Sequence, residues 1–220
     1  GSPAPPGAVT VVAVDCEPGH LKHVDELGVP GILTLSGRLP DELPIAALRE
    51  LSPGGVSGVL VSEVMHFLSG EALAASLRTI HDVLIPGGKL CMNAVSPYMN
   101  LMPSDTGHCP LMTRVRKTYA AREAAGKAWP GECVELRATA RAALLEEGAG
   151  DWTAGGGIER MPGFLHFLSA EVLACACVEA GFDVVSAKGG WHPGYPPLYM
   201  NEELEFHMEN TQVVAEKRRV

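Results

Sequence analysis

Between Val56 and Tyr98 an apolar strand, an amphipathic helix and a second apolar strand succeed one another with almost no connecting sequence, which commits this stretch to a βαβ unit. Gly58-Val59-Leu60-Val61 and Lys89-Leu90-Cys91-Met92-Asn93-Ala94-Val95 supply the strands, and Leu73, Leu77, Ile80 and Leu84 recur at a helical period between them. Pro86-Gly87-Gly88 is expected to stop the helix, because proline removes a helical donor and glycine takes up positive φ. Open parallel sheets hold ligands beyond the carboxyl ends of their strands. Residues 62–67 and 94–98 are therefore where function is to be sought.

The rest of the chain extends the same order. Ala8 to Val14 is continuously apolar and reads as a buried strand ended by Asp15, followed by a helix over Pro18 to Leu27, a strand at Ile32-Leu33-Thr34-Leu35 and a short helix over Leu43 to Leu51. Ser169 caps a helix that Gly181 ends, and strands follow at 182–187 and 211–217. The expected architecture is α/β: one Rossmann-like domain over 1–220, with a parallel-dominated sheet using strands near 8–14, 32–35, 57–61, 89–95, 182–187 and 211–217, and flanking helices. Residues 99–163 interrupt it. Helices over Leu111 to Gly126 and Val134 to Glu147, then a glycine-rich loop from Gly148 to Gly163, mark a helical cap-like insertion.

Charge narrows the partners. With 26 acidic and 17 basic residues the chain carries −9, which disfavours nucleic acid and anionic membrane; the only basic cluster is Lys217-Arg218-Arg219. Six cysteines without a C-x-x-C spacing read as free thiols of a reducing compartment, and no signal peptide or membrane span is visible, so a cytoplasmic location is expected. Neither Cys175 with Cys177 nor the histidines at 81, 108, 192 and 207 have metal-ligand spacing, so no metal is expected.

Asp15, directly after a buried strand, can offer two carboxylate oxygens to the two hydroxyls of a ribose, or it can cap the next helix; its position is compatible with both. Four pieces occur in order: Val11-Val12-Ala13-Val14-Asp15-Cys16-Glu17-Pro18-Gly19-His20-Leu21, Leu35-Ser36-Gly37-Arg38-Leu39-Pro40, Val59-Leu60-Val61-Ser62-Glu63-Val64-Met65-His66-Phe67-Leu68 and Leu84-Ile85-Pro86-Gly87-Gly88-Lys89-Leu90. Together they resemble the ordered motifs of class I S-adenosylmethionine-dependent methyltransferases, over most of the chain outside 99–163. The resemblance implies S-adenosylmethionine as cofactor, with Asp15 on its ribose, Gly37, Arg38 and Leu39 near adenine, and Ser62, Glu63 and Val64 beneath the methionyl part. It also implies a first strand and a glycine-rich turn ahead of Asp15's strand. Gly1-Ser2-Pro3-Ala4-Pro5-Pro6-Gly7 supplies neither, which leaves three readings open: a fragment lacking the first strand, a chain whose cofactor binding depends on an absent amino-terminal segment, or a degenerate homologue.

Methyl transfer needs an oriented nucleophile and excluded water rather than a covalent enzyme group. His66 and Tyr98 are the candidates for accepting a proton or positioning the acceptor, with His108, His166, Trp191, Tyr195 and Tyr199 as substrate neighbours. Each also has a purely structural reading: the two His-Phe-Leu triplets at 66–68 and 166–168 can hydrogen-bond within the fold, and the aromatic residues can pack a loop. The expected reaction is methyl transfer to a small organic acceptor, with a protein acceptor left open. The alternatives are a non-catalytic Rossmann-like interaction domain and a dehydrogenase; the latter needs a glycine-rich dinucleotide turn. The oligomeric state is not legible.

Overall fold

Val11–Asp15 (β1) and Ile32–Ser36 (β2) pair in parallel register from Val11 opposite Ile32 to Asp15 opposite Ser36. The helix between them, Pro18–Glu26 (α1), starts at Glu17, whose carboxylate accepts the Gly19 N–H at 3.2 Å, with Pro18 in the first turn. Ile45–Leu51 (α2) follows and buries Leu48. These elements belong to one of two compact units, Gly1–Val56; the other is Ser57–Val220. The computed structural model describes residues 9–99, 109–146, 157–190 and 210–219.

In the second unit, Val56–Ser62 (β3) leads through a 3-10 turn at Met65–Phe67 into Gly70–Val83 (α3) and then Leu84–Val95 (β4). The helical periodicity has its expected result: Leu73 and Leu77 are fully buried, with Ile80 and Leu84 close behind. Each such side chain contributes roughly 1.5–3 kcal/mol of burial. The Ser69 hydroxyl accepts the Ala72 N–H, and Glu71 sits in the first turn. The helix stops at Val83, ahead of Pro86, and the chain is already extended at Leu84. Gly87, with φ 79°, lies before Lys89, where pairing with the last strand begins. Gly58 lies beside Lys89 and Glu63 meets Asn93, so β3 and β4 run in the same direction.

Pro110–Ala124 (α4), Glu132–Cys133 (β5), Leu136–Glu146 (α5), Gly157–Arg160 (α6) and Leu165–His166 (β6) come next. The expected helices of the insertion are present. Of the glycine-rich stretch, 157–160 is a short helix rather than loop, and 147–156 lie outside the described residues. The inserted elements share one apolar core, in which Met112, Val115, Leu136, Ala140 and Ile158 pack with Val95 and Phe167. Because Val95 is the last residue of β4, this core sits at that strand's carboxyl end.

Ala170–Glu179 (α7), Phe182–Gly190 (β7) and Asn210–Lys217 (β8) complete the unit. The four-stranded order is β3-β4-β8-β7, with β8 antiparallel to both neighbours and a bulge between Val184 and Ser186. The architecture is thus Rossmann-like α/β, with β1 and β2 as a parallel pair of their own and a mixed four-stranded sheet that is parallel at β3-β4 and antiparallel around β8. β5 and β6 form a separate antiparallel pair. No helix among the described residues is long and apolar enough to cross a membrane.

Candidate functional site

In the first unit, the chemistry gathers at the carboxyl ends of β1 and β2. Asp15 Oδ1 accepts the Glu17 N–H at 2.8 Å, and Oδ2 faces His20 Nδ1 at 3.1 Å. The Glu17 amide, and after it His20, hold the Asp15 carboxyl below the ordinary range against a smaller opposing effect of burial. The acid therefore does not cap α1 itself; it fixes Glu17, which does. His20 is largely exposed, so the group on Oδ2 is one that a ligand hydroxyl can replace. Gly37 donates its N–H to the Asp15 carbonyl at 3.1 Å, tying the turn after β2 to the strand end that bears the acid. A Cβ at Gly37 would lie 2.6 Å from Pro44 Cδ, 2.9 Å from the Glu42 carbonyl and 3.0 Å from Val14 Cγ1, so only glycine lets the backbone approach this closely. Cys16, and after it Glu42, raise the Arg38 pKa. Arg38 and Glu42 also exchange backbone hydrogen bonds, closing the turn that contains Leu39.

In the second unit, a polar cluster lies just beyond β3. Glu63 has φ 57°, a left-handed conformation that costs a residue with a Cβ roughly 1–2 kcal/mol. Asn93 Oδ1 holds it by accepting its N–H at 2.8 Å. The Glu63 carboxylate then faces two buried side chains: Oε1 accepts from Asn210 Nδ2 at 3.3 Å, and Oε2 lies 3.6 Å from His66 Nδ1. Burial lowers the His66 pKa to about 4 despite the neighbouring carboxylate, so the imidazole is neutral at pH 7. Ser62 and Val64 flank Glu63 and are exposed.

Tyr98, half exposed, lies three residues beyond β4 with its ring 6.4 Å from that of the buried Tyr119 on α4. His166 is fully buried in β6; its Nδ1 bonds the Leu68 carbonyl at 3.1 Å, Trp129 meets its ring edge-on, and burial lowers its pKa. Its position is that of a support for the His66 turn. His108, Trp191, Tyr195 and Tyr199 lie outside the described residues. The structure thus brings Asp15 together with Gly37, and Glu63 with His66. Sequence reasoning passed over His20, Asn93 and Asn210. Asn93 was the findable one, a polar residue inside an otherwise apolar strand. No group of three His, Cys, Asp or Glu side chains among the described residues could hold a metal ion.

Comparison with solved structures identifies the architecture. A methyltransferase from Methanosarcina mazei, described as S-adenosylmethionine-dependent, superposes with a TM-score of 0.56 at 10% identity, covering 96% of this chain and 83% of that one. An S-adenosylmethionine-dependent methyltransferase from Mesorhizobium loti gives 0.53 at 16% identity, covering 96% and 82%. The chain has the class I methyltransferase-like fold. No protein-family model and no curated protein sequence matches it.

Proposed function

We propose that this chain is an S-adenosylmethionine-dependent methyltransferase acting on a small organic acceptor. The observation that carries the reading is Asp15: a carboxylate at the end of a parallel strand, prearranged by a backbone amide, with its second oxygen held only by an exposed histidine. A ribose diol fits that carboxylate, and the close backbone approach at Gly37 suits a flat base beside Arg38 and Leu39. In the second unit, Ser62, Glu63 and Val64 are the residues proposed for the methionyl part.

The cofactor would supply an electrophilic methyl group; the chain's own residues bind, orient and exclude water. The turn held by Asn93 presents Glu63, and burial keeps His66 neutral, so His66 serves as a hydrogen-bonding and positioning group. Tyr98 is the exposed counterpart proposed on the acceptor side. The helices of 99–163 are proposed to act as a cap, consistent with a core that reaches Val95. A small molecule is the preferred acceptor, and the −9 charge argues against nucleic acid.

Calorimetric titration with S-adenosylhomocysteine tests the reading. Binding is expected of the protein extended at its amino terminus, with Asp15→Ala in that same protein weaker by tenfold or more, the loss of one or two charge-assisted hydrogen bonds. Equal affinities would remove Asp15 from the site, and absence of binding both by this chain and by its amino-terminally extended form would favour the non-catalytic interaction domain.

A further inference from the structure

Glu63, at φ 57°, is the only residue other than glycine with a left-handed backbone among the described residues. Such conformations persist where surrounding groups over-determine them, and they concentrate at ligand sites. The restraint here is Asn93. It meets the Glu63 N–H twice, with its side-chain Oδ1 at 2.8 Å and its carbonyl at 3.4 Å. Any residue at position 93 supplies the carbonyl; the shorter bond needs a side chain of this length that carries an acceptor. Asparagine is also out of character in β4, where its neighbours Met92 and Ala94 are buried and apolar and its residue type is disfavoured. Two local exceptions therefore meet in one hydrogen bond at the carboxyl ends of β3 and β4, the end of the sheet that holds ligands in open α/β folds. The side chain of Glu63 is fixed separately, by the Asn210 amide at 3.3 Å. Its neighbours in the turn, Ser62 and Val64, are exposed.

We infer that Asn93 is a positioning residue that makes the turn at 62–64 selective for ligands carrying an amino-acid tail; this rests on the methyltransferase reading, in which that turn takes the methionyl part. Asn93 acts through the backbone of Glu63. Without Oδ1 the strained residue relaxes to an ordinary conformation, and Ser62 and Val64 are redirected with it. A nucleoside that lacks the tail does not meet this turn and is indifferent to its shape. No proton moves and no bond forms at Asn93; its contribution is a turn already shaped when the ligand arrives.

Calorimetry on this chain and on its amino-terminally extended form tests this with S-adenosylhomocysteine and 5′-methylthioadenosine, which share the nucleoside and differ in the amino-acid tail. Asn93→Leu, an apolar side chain of similar size in an apolar strand, is expected to weaken S-adenosylhomocysteine by about tenfold or more and 5′-methylthioadenosine by less than about twofold. Asn93→Asp keeps an oxygen at the same place and is expected to stay within about threefold of the wild type for both. Equal losses for the two ligands, no loss in Asn93→Leu, or an aspartate variant as weak as the leucine one overturns the role and leaves the methyltransferase reading standing. No binding of S-adenosylhomocysteine by either form of the wild type overturns both. Should Asn93→Leu not fold, the amide resonance of Glu63 in the wild type decides. It is expected to move on adding S-adenosylhomocysteine and to stay in place with 5′-methylthioadenosine, and any other pattern overturns the role.

Discussion

The imidazole of His166 bonds through Nδ1 to the carbonyl of Leu68 at 3.1 Å, so the short β6 strand anchors the turn that bears His66. The same turn is held from the other side, where the Gly70 N–H donates to Glu132 Oε1 at 2.6 Å, and Glu132 is the β5 residue directly opposite His166. One antiparallel strand pair thus grips both sides of Ser69, the cap of α3. The residues that follow β3 are placed by a pair of strands 62 to 98 residues further along the chain.

Truncating the anchor tests its strength. His166→Ala removes the bond to Leu68 and leaves a cavity in a fully buried site, and is expected to cost about 3 kcal/mol. Urea unfolding of the wild type and variant measures it. His166→Gln, which can still donate toward Leu68, is expected to lose less.

Acid should weaken the fold through His66. Its native pKa of about 4 lies below the unfolded value near 6.5, so between these pH values the unfolded state binds the proton and the native state does not. The contribution is complete above pH 6.5 and is lost as pH falls toward about 4, amounting to about 3 kcal/mol at most. His166 is shifted in the same direction by the same cause. Unfolding midpoints across this range are expected to fall more steeply for the wild type than for His66→Gln.

Gly37→Ala should strain the first unit. The new methyl would collide with Pro44, Glu42 and Val14, and the turn cannot move without breaking the Gly37 bond to the Asp15 carbonyl. A loss of about 1–3 kcal/mol is expected. Hydrogen exchange of the β1–β2 amides is the measurement, with acceleration confined to residues before Ser57.

Ser69→Ala and Ser169→Ala form a matched pair. Each hydroxyl accepts the amide three residues on at 3.3 Å, so each change is expected to cost about 1 kcal/mol, read from thermal unfolding.

Most of the fold was legible because burial imposes period. The apolar residues of α3 and the strand at Lys89–Val95 stand where the pattern put them, and the carboxylate at Asp15 ends its strand as expected. Other features were not legible, for identifiable reasons. The antiparallel setting of β8 depends on partners distant in sequence, and alternation alone does not encode direction. Glu63 in a left-handed conformation is imposed by Asn93, thirty residues away, against its own preference. Matching His-Phe-Leu-Ser segments gave no hint that Phe67 is exposed while Phe167 is buried, since only the inserted helices supply the cover. Asn210 stood one residue before an expected strand and looked like a boundary.

Placement of β8 between β4 and β7 has a consequence for biosynthesis. A ribosome delivers β3, β4 and β7 before Asn210–Lys217 exists; until that segment emerges β7 has no native neighbour and β4 has only β3. One edge of β4 is therefore open from Val95 until Asn210–Lys217 is made, and β7 joins it unpaired. Lys217 then closes the arrangement: its ammonium donates to the carbonyls of His81 and Leu84 at 2.8 Å each, so the end of β8 locks the end of a helix made 136 residues earlier.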